Sequence, residues 1–258
     1  MRTSNSEKVV AVIEARMGST RLPGKVLKKV MGRPLLSFLV ERLRGSIMLN
    51  DIVVATSVDP RDDLIADFCC REGILCHRGS ENDVLGRVVE AAELEGAQIY
   101  VEISGDCPII DPGVVDHLVN EYRRLGHDIV TNCIVRSYPA GMDCVVCSYD
   151  LLRLSNAEAK EPRHREHVML YLLEQPQRFS IHNVVAPPEV TWPRLRLLVD
   201  YPEDFQVIQT ILETLYPKNP RFVLQEAIEL VRIRNLQSIN GHVWPEKVFG
   251  HLPPQEMT

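Results

Sequence analysis

The chain has 258 residues, a net charge of −6, 45% hydrophobic residues and 25% charged ones. That is enough chain to bury a sizeable core; it holds no long basic stripe for nucleic acid, and no apolar run approaches the roughly 20 residues that cross a bilayer. Met1 to Lys8 lacks the apolar stretch of a signal peptide and the seven cysteines are odd in number, so the expectation is cytoplasmic residence, no membrane insertion and buried thiols in place of a disulfide framework.

In chain order, Val9–Ile13 reads as a buried strand and Pro34–Leu43 as a helix. Then come a strand at 51–56, a helix at 61–71 stopped by Gly73, a strand at 74–77, a helix at 83–95 closed by Gly96, and a strand at 99–103. Asp111 and Pro112 open a helix to Leu125, and 129–131 is a further strand. This alternation predicts a mostly parallel sheet with helices on both faces. From Arg136 to Pro193 the rhythm changes to a strand at 142–148, helices at 150–160 and 165–174, and a strand at 179–184. The expectation is an inserted arm covering one end of the sheet. Leu195–Val199 restores a buried strand, followed by helices at 202–215 and 222–232. The tail from Gly241, with three prolines, is expected to be only partly ordered. The whole reads as one domain over 1–258, with a core at 9–215, the arm at 136–193 and a C-terminal helix and tail at 216–258. Cys144 and Cys147 lie in a strand, where positions three apart face opposite sides.

The loop Ala15-Arg16-Met17-Gly18-Ser19-Thr20-Arg21-Leu22-Pro23-Gly24-Lys25 leaves the end of the first strand. Between Ala15 and Val40 stand six cations (Arg16, Arg21, Lys25, Lys28, Lys29, Arg33) and no acid, in a chain that is acidic overall. Open α/β sheets bind ligands beyond the carboxyl ends of their strands, so this loop is a candidate anion site. Its spacing matches neither a P-loop nor the dinucleotide G-x-G-x-x-G. Asp106 directly follows the 99–103 strand and Asp200 the 195–199 strand, placing both on the same sheet edge. Each also fits a cap for the next helix.

The loop, with Gly32-Arg33-Pro34-Leu35-Leu36 close behind, resembles the signature of the cytidylyltransferases that activate acidic sugars. The branch most similar is that of spore coat polysaccharide biosynthesis protein F, and CMP-Kdo synthetase is a more distant relative. The resemblance runs from about Val9 to about Leu215. It implies a three-layer α/β/α nucleotide-diphospho-sugar transferase (Rossmann-like) fold with a small arm, a homodimer, CTP and a small acidic sugar as substrates, and Mg2+ as cofactor. Gly105-Asp106-Cys107-Pro108 and Val199-Asp200-Tyr201-Pro202-Glu203-Asp204 resemble its G-D-x-P and V-D-T-P-E-D elements, which implies that Asp106 and Asp200 hold the metal. The resemblance further implies Arg16 and Lys25, with Arg21 beside them, as the triphosphate ligands, with Gly18 and Ser19 adding backbone and hydroxyl contacts and Lys25 expected to stand exposed in the cleft. Cytosine would be read largely by backbone groups near Ala15 and around residues 78–82, and Arg78-Gly79-Ser80-Glu81-Asn82-Asp83-Val84-Leu85 resembles the R-G-S-E-x-D-V-L element, which would line the nucleotide side with Arg78, Gly79, Ser80 and Asp83. That element also fits a tight turn with Asp83 as helix cap. Tyr138 and Asp143, in a Y-P-x-G-x-D stretch, and Arg165 and His167, in R-E-H-V, would meet the acceptor. An exposed, mixed-charge helix start accounts for the latter pair equally well. A sugar phosphate or phosphonate acceptor, and a non-catalytic protein keeping only the fold, are the other readings. A degenerate copy would be expected to lose at least one of Arg16, Lys25, Asp106 and Asp200.

Overall fold

The computed structural model describes residues 7–243. The expected disorder of the proline-bearing tail concerns Pro245, Pro253 and Pro254, outside that range. Nine strands and ten helices are described: β1 (Val9–Glu14), β2 (Lys29–Val30), β3 (Arg33–Pro34), α1 (Leu35–Leu43), β4 (Asp51–Ser57), α2 (Asp63–Glu72), β5 (Leu75–Gly79), α3 (Val84–Leu94), β6 (Ile99–Ser104), α4 (Pro112–Leu125), β7 (Ile129–Thr131), β8 (Val145–Ser148), α5 (Tyr149–Glu158), α6 (Pro162–Glu166), α7 (Leu170–Leu173), β9 (Ile181–Asn183), α8 (Pro202–Leu215), α9 (Leu224–Arg234) and α10 (Gln237–Asn240).

Seven strands form one sheet in the order β5-β4-β1-β6-β8-β7-β9, and only β8 runs against its neighbours. Side chains alternate across it. Val9, Ala11 and Ile13 of β1 join a core roofed by α1, α2, α4, α8 and α9, while Val10 and Val12 face a second core under α3, α5 and α7. Cys144 and Cys147 likewise fall in opposite cores. Three layers result, as the alternation predicts. The buried-thiol reading holds for Cys69, Cys107, Cys133, Cys144 and Cys147; Cys70 is exposed and Cys76 half-buried.

Three elements differ from the sequence reading. Leu195–Val199 is no strand of the sheet. Its backbone bonds go to two separate places, exchanging Ala140 N–H to Leu195 O and Leu197 N–H to Ala140 O, then giving Val199 N–H to Asp106 O. With two partners there is no ladder, though the run is fully buried. Gly141 permits this docking, since a Cβ there would lie 2.5 Å from Leu197 O. The helix expected over 165–174 is two short helices broken at His167, which is extended (φ −109°, ψ 98°). The region 136–193 supplies β8 and β9 to the sheet itself, besides the α5–α7 segment on its face. A tight hairpin, β2–β3, follows the basic loop; Met31 and Gly32 both take positive φ at its turn.

The order β5-β4-β1-β6 reverses direction between β1 and β6, and the crevice beyond their carboxyl ends is the expected ligand position.

Candidate active site

The basic loop leaves β1 at that crevice and is tied down rather than free. Asp62 is buried and accepts from Met17 N–H at 2.6 Å, Gly24 N–H bonds back to Met17 O at 3.0 Å, and Leu22 and Val26 are buried beneath it. The loop after β6 comes within touching distance because of Gly105. Its N–H donates to Glu14 O at 2.9 Å, and a Cβ there would lie 2.5 Å from the same oxygen. Any larger residue would push Asp106 away from the β1 loop.

Lys25 reaches across this gap. Its Nζ lies 2.6 Å from Asp106 Oδ2 and 2.6 Å from Asp200 Oδ1. Arg21 closes the other side of Asp200 at 2.9 Å, and Ser104 Oγ donates to Asp106 Oδ1 at 2.7 Å. Two aspartates 94 positions apart (200 − 106) thus meet at one cation. Burial opposes charge on both partners of the Lys25–Asp106 pair, but the mutual attraction wins. The Asp106 carboxyl is held below the ordinary carboxylate range and the Lys25 ammonium above its own. The expectation of an exposed Lys25 does not hold. Its side chain is only 13% exposed, because it fills the space between the two carboxylates.

Helix capping does not account for either aspartate. Asp111 caps α4 by accepting from Gly113 N–H at 2.8 Å. At α8 it is Asp204 that accepts from the backbone N–H groups of Asp200 and Tyr201, both at 3.1 Å, while pairing with the fully buried Arg196. The Asp200 side chain is left for Lys25 and Arg21.

Of the sequence-predicted residues, Ala15, Arg16, Ser19, Arg21, Lys25, Asp106 and His167 line the cleft, and Asp200 joins them through Lys25. Gly18 packs near Arg61 and Glu81. The others stand behind the wall. Arg78 pairs with Asp63 at 2.7 Å and donates to Ser57 O, and Ser80 O accepts from Arg87 at 2.9 Å. A Cβ on Gly79 would strike Arg87 at 2.4 Å. Asp83 caps α3 through Gly86 N–H and holds Arg165; although burial opposes it, this pairing keeps the carboxyl below its usual range. Tyr138 is packed in the core, and Asp143 pairs with Arg136 at 2.8 Å.

Sequence reasoning passed over several lining residues: Glu14, Arg87, Ser104 and Glu166. Arg87 is 2% exposed and its Nε has no partner among the described residues. Glu166 reaches Arg16 at 3.5 Å across the cleft. Glu14 closes β1 on the α3 side of the sheet, and its carboxyl contacts that of Glu102 on β6. Burial raises Glu14 to about 7 against the pull of Arg87, and raises Glu102 well above its ordinary value. The available signal was an acid inside, or at the end of, an otherwise apolar strand.

The donor set suits a hard divalent cation. Magnesium takes one or two carboxylates and completes its shell with water and substrate phosphates. Asp106 and Asp200 already hold a positive charge between them, supplied by Lys25.

Residues 10–233 match the family model described as cytidylyltransferase. Spore coat polysaccharide biosynthesis protein SpsF of Bacillus subtilis is 33% identical over 232 residues, covering 88% of this chain and 94% of that one. A 3-deoxy-manno-octulosonate cytidylyltransferase of Koribacter versatilis is 37% identical over 118 residues, 45% of this chain and 44% of its own. The solved structure of a cytidylyltransferase from Leptospira borgpetersenii superposes with a TM-score of 0.84 at 30% identity, covering 93% of this chain and all of that one. The chain belongs to the cytidylyltransferase family.

Proposed function

We propose that this member of the cytidylyltransferase family transfers CMP from CTP to an acidic sugar of the nonulosonic or octulosonic type and releases pyrophosphate, in the service of surface polysaccharide biosynthesis. The observation that carries the reading is Lys25 bridging Asp106 and Asp200, 2.6 Å from each, at the foot of the basic loop. Arg16, Arg21 and Lys25 neutralise the triphosphate, and Ser19 and the loop backbone orient it. Asp106 and Asp200 hold Mg2+, which when bound neutralises phosphate oxygens and the leaving pyrophosphate. Lys25, which here fills the space between the two carboxylates, would be free to face the phosphates when Asp106 and Asp200 hold a metal instead. The half-length similarity to a 3-deoxy-manno-octulosonate cytidylyltransferase supports a sugar acid as acceptor. His167 lines the cleft and is the family-matched residue placed to meet it. Cytoplasmic residence, where CTP is made, and a homodimer belong to the same proposal. No described helix is long and apolar enough to cross a membrane.

A pyrophosphate-release screen tests the reading. Each nucleoside triphosphate is paired with sugar acids, sugar phosphates and phosphonates. Turnover with CTP and a sugar acid is expected; turnover only with a phosphate or phosphonate would change the acceptor, and none with any pair would favour a non-catalytic protein. CTP with magnesium is expected to raise Tm more than ATP, GTP or UTP, because a ligand that binds only the native state stabilises it. Equal shifts would mean that the site reads phosphates alone.

A further inference from the structure

We propose that Glu14 takes the proton from the acceptor hydroxyl as that oxygen attacks the α-phosphorus, with Glu102 as the proton-bearing neighbour that orients it. The inference rests on the cytidylyl-transfer reading above.

The geometry begins with register. β1 and β6 pair in parallel with Val12 opposite Glu102 and Glu14 opposite Ser104. Glu14 and Glu102 therefore stand diagonally on the face that carries Val10, Val12 and Tyr100, under α3. Glu14 ends the strand and lines the cleft, whereas Glu102 lies one step inward. The other acids lining the cleft are engaged: Asp106 with Lys25, Glu166 with Arg16. Glu14 makes no ion pair with any described residue.

The charged groups around Glu14 come from each element packed on it. Glu102 comes from β6, Asp106 from the loop after β6, Arg87 from α3, and Arg16 from the loop after β1. β4 offers only Ala55 at that register. Lys25, and Glu166 and His167 from the α6 segment, line the same cleft. Two carboxyls in contact and only partly exposed disfavour double ionisation. Asp143 lies behind Glu102 and disfavours its charge, while Arg87 and Arg16 favour charge on Glu14. The shared proton therefore rests on Glu102, which donates to Glu14, and Glu14 is the member that ionises, at about 7. A base poised near working pH is the efficient kind.

The step balances. The acceptor O–H breaks and its proton passes to a Glu14 carboxylate oxygen. The acceptor oxygen bonds to the α-phosphorus. The bond from that phosphorus to the α–β bridging oxygen breaks, its electron pair leaving with pyrophosphate. Glu14 then returns the proton to water.

The test compares wild type with Glu14→Gln, Glu102→Gln and His167→Gln, using CTP, magnesium and 3-deoxy-manno-octulosonate as the probe acceptor. Glu14→Gln should lower kcat on the order of 10²–10⁴-fold and abolish the acidic limb of its pH profile, while keeping the CTP-induced rise in Tm that reports folding and nucleotide binding. Glu102→Gln, whose amide still donates to Glu14 but carries no titrating proton, should move the acidic limb of the pH profile, with kcat lowered less than in Glu14→Gln. Carbon-13 spectra of glutamate-labelled protein should show a carboxyl titrating near pH 7 that is missing in Glu14→Gln. If Glu14→Gln keeps both its rate and its acidic limb, or if that limb vanishes only in His167→Gln, the assignment is overturned. Should wild type show the CTP shift but no turnover with this acceptor, the acceptor class is contradicted and the spectra decide the role of Glu14. A glutamate near 7 that moves on CTP and magnesium binding supports it, and none overturns it.

Discussion

Two carboxyl pairs flank the same cleft, and they solve opposite problems. Asp106 and Asp200 meet around Lys25 with Arg21 alongside, so both stay charged although little exposed. Glu14 and Glu102 meet with no ion pair to any described cation, so burial and their mutual repulsion raise both and favour a proton on one of them. Both pairs join residues distant in the chain: the β1–β6 register sets Glu14 beside Glu102, and the docking of Val199 N–H on Asp106 O brings Asp200 to Asp106. The difference is one inserted lysine. On the proposed reading, it would make the first pair a seat for cations and phosphates and leave the second as a proton store.

The comparison can be broken first at the charged pair. Asp106→Asn keeps the shape and hydrogen-bonding reach but removes one charge from the proposed metal clamp. The rate of CMP transfer at saturating CTP should fall on the order of 10²–10³-fold, with a loss of thermal stability smaller than that of Lys25→Ala, because Lys25 keeps Asp200 as its partner. A near-normal rate would mean that the carboxylate serves only to anchor Lys25.

The next largest effect is on folding. Lys25→Ala leaves two carboxylates facing each other in a cleft where the lysine was only 13% exposed. Removing one partner of a largely buried ion pair commonly costs about 3 kcal/mol or more. Urea unfolding at pH 7 should show a loss of about that size, part of it recovered on adding magnesium, since the metal then replaces the missing charge. Unchanged stability would show that the two aspartates separate freely once the lysine is gone.

The smallest expected effect separates the pairs by sign. Asp106 is depressed in the folded state, so its contribution is present above its ordinary pKa and is lost only as pH falls through the lower folded value. Glu14 is raised, so its contribution is complete below its ordinary value of 4.5 and is lost as pH rises through about 7. The unfolding free energy of wild type relative to Glu14→Gln should therefore fall between about pH 4.5 and 7, by on the order of 1–3 kcal/mol. A flat difference across that window would remove the proton store from the account.

How much of this was legible depends on what each residue does alone. β1, β4 and β6 were readable because both their faces are buried, giving unbroken apolar runs. The convergence of Asp106 and Asp200 was readable because each follows such a run at a matching motif. The same rule misread 195–199, which is just as buried but divides its backbone bonds between Ala140 and Asp106. Burial shows in composition; which strand supplies the hydrogen bonds does not. His167 breaks a helical pattern without a glycine or proline to mark it. The roles of Arg78 and Asp83 as braces, and the burial of Tyr138, depend on partners 15 to 82 positions away or on the whole core. Glu14 and Glu102 were hidden for a simpler reason: a single acid in an apolar strand looks like noise until its neighbour across the sheet is known.

The central claim is that Asp106 and Asp200, with Lys25 between them, form one magnesium seat for CTP. A double-mutant cycle tests it most directly, with CMP transfer by wild type, Asp106→Asn, Asp200→Asn and the double variant followed across a magnesium titration. Large losses are expected in both single variants, with a higher magnesium requirement in each and a double loss far smaller than the product of the singles, as for groups acting as a unit. Two single variants with near-wild-type rates at every magnesium concentration, or losses that simply multiply, would contradict it.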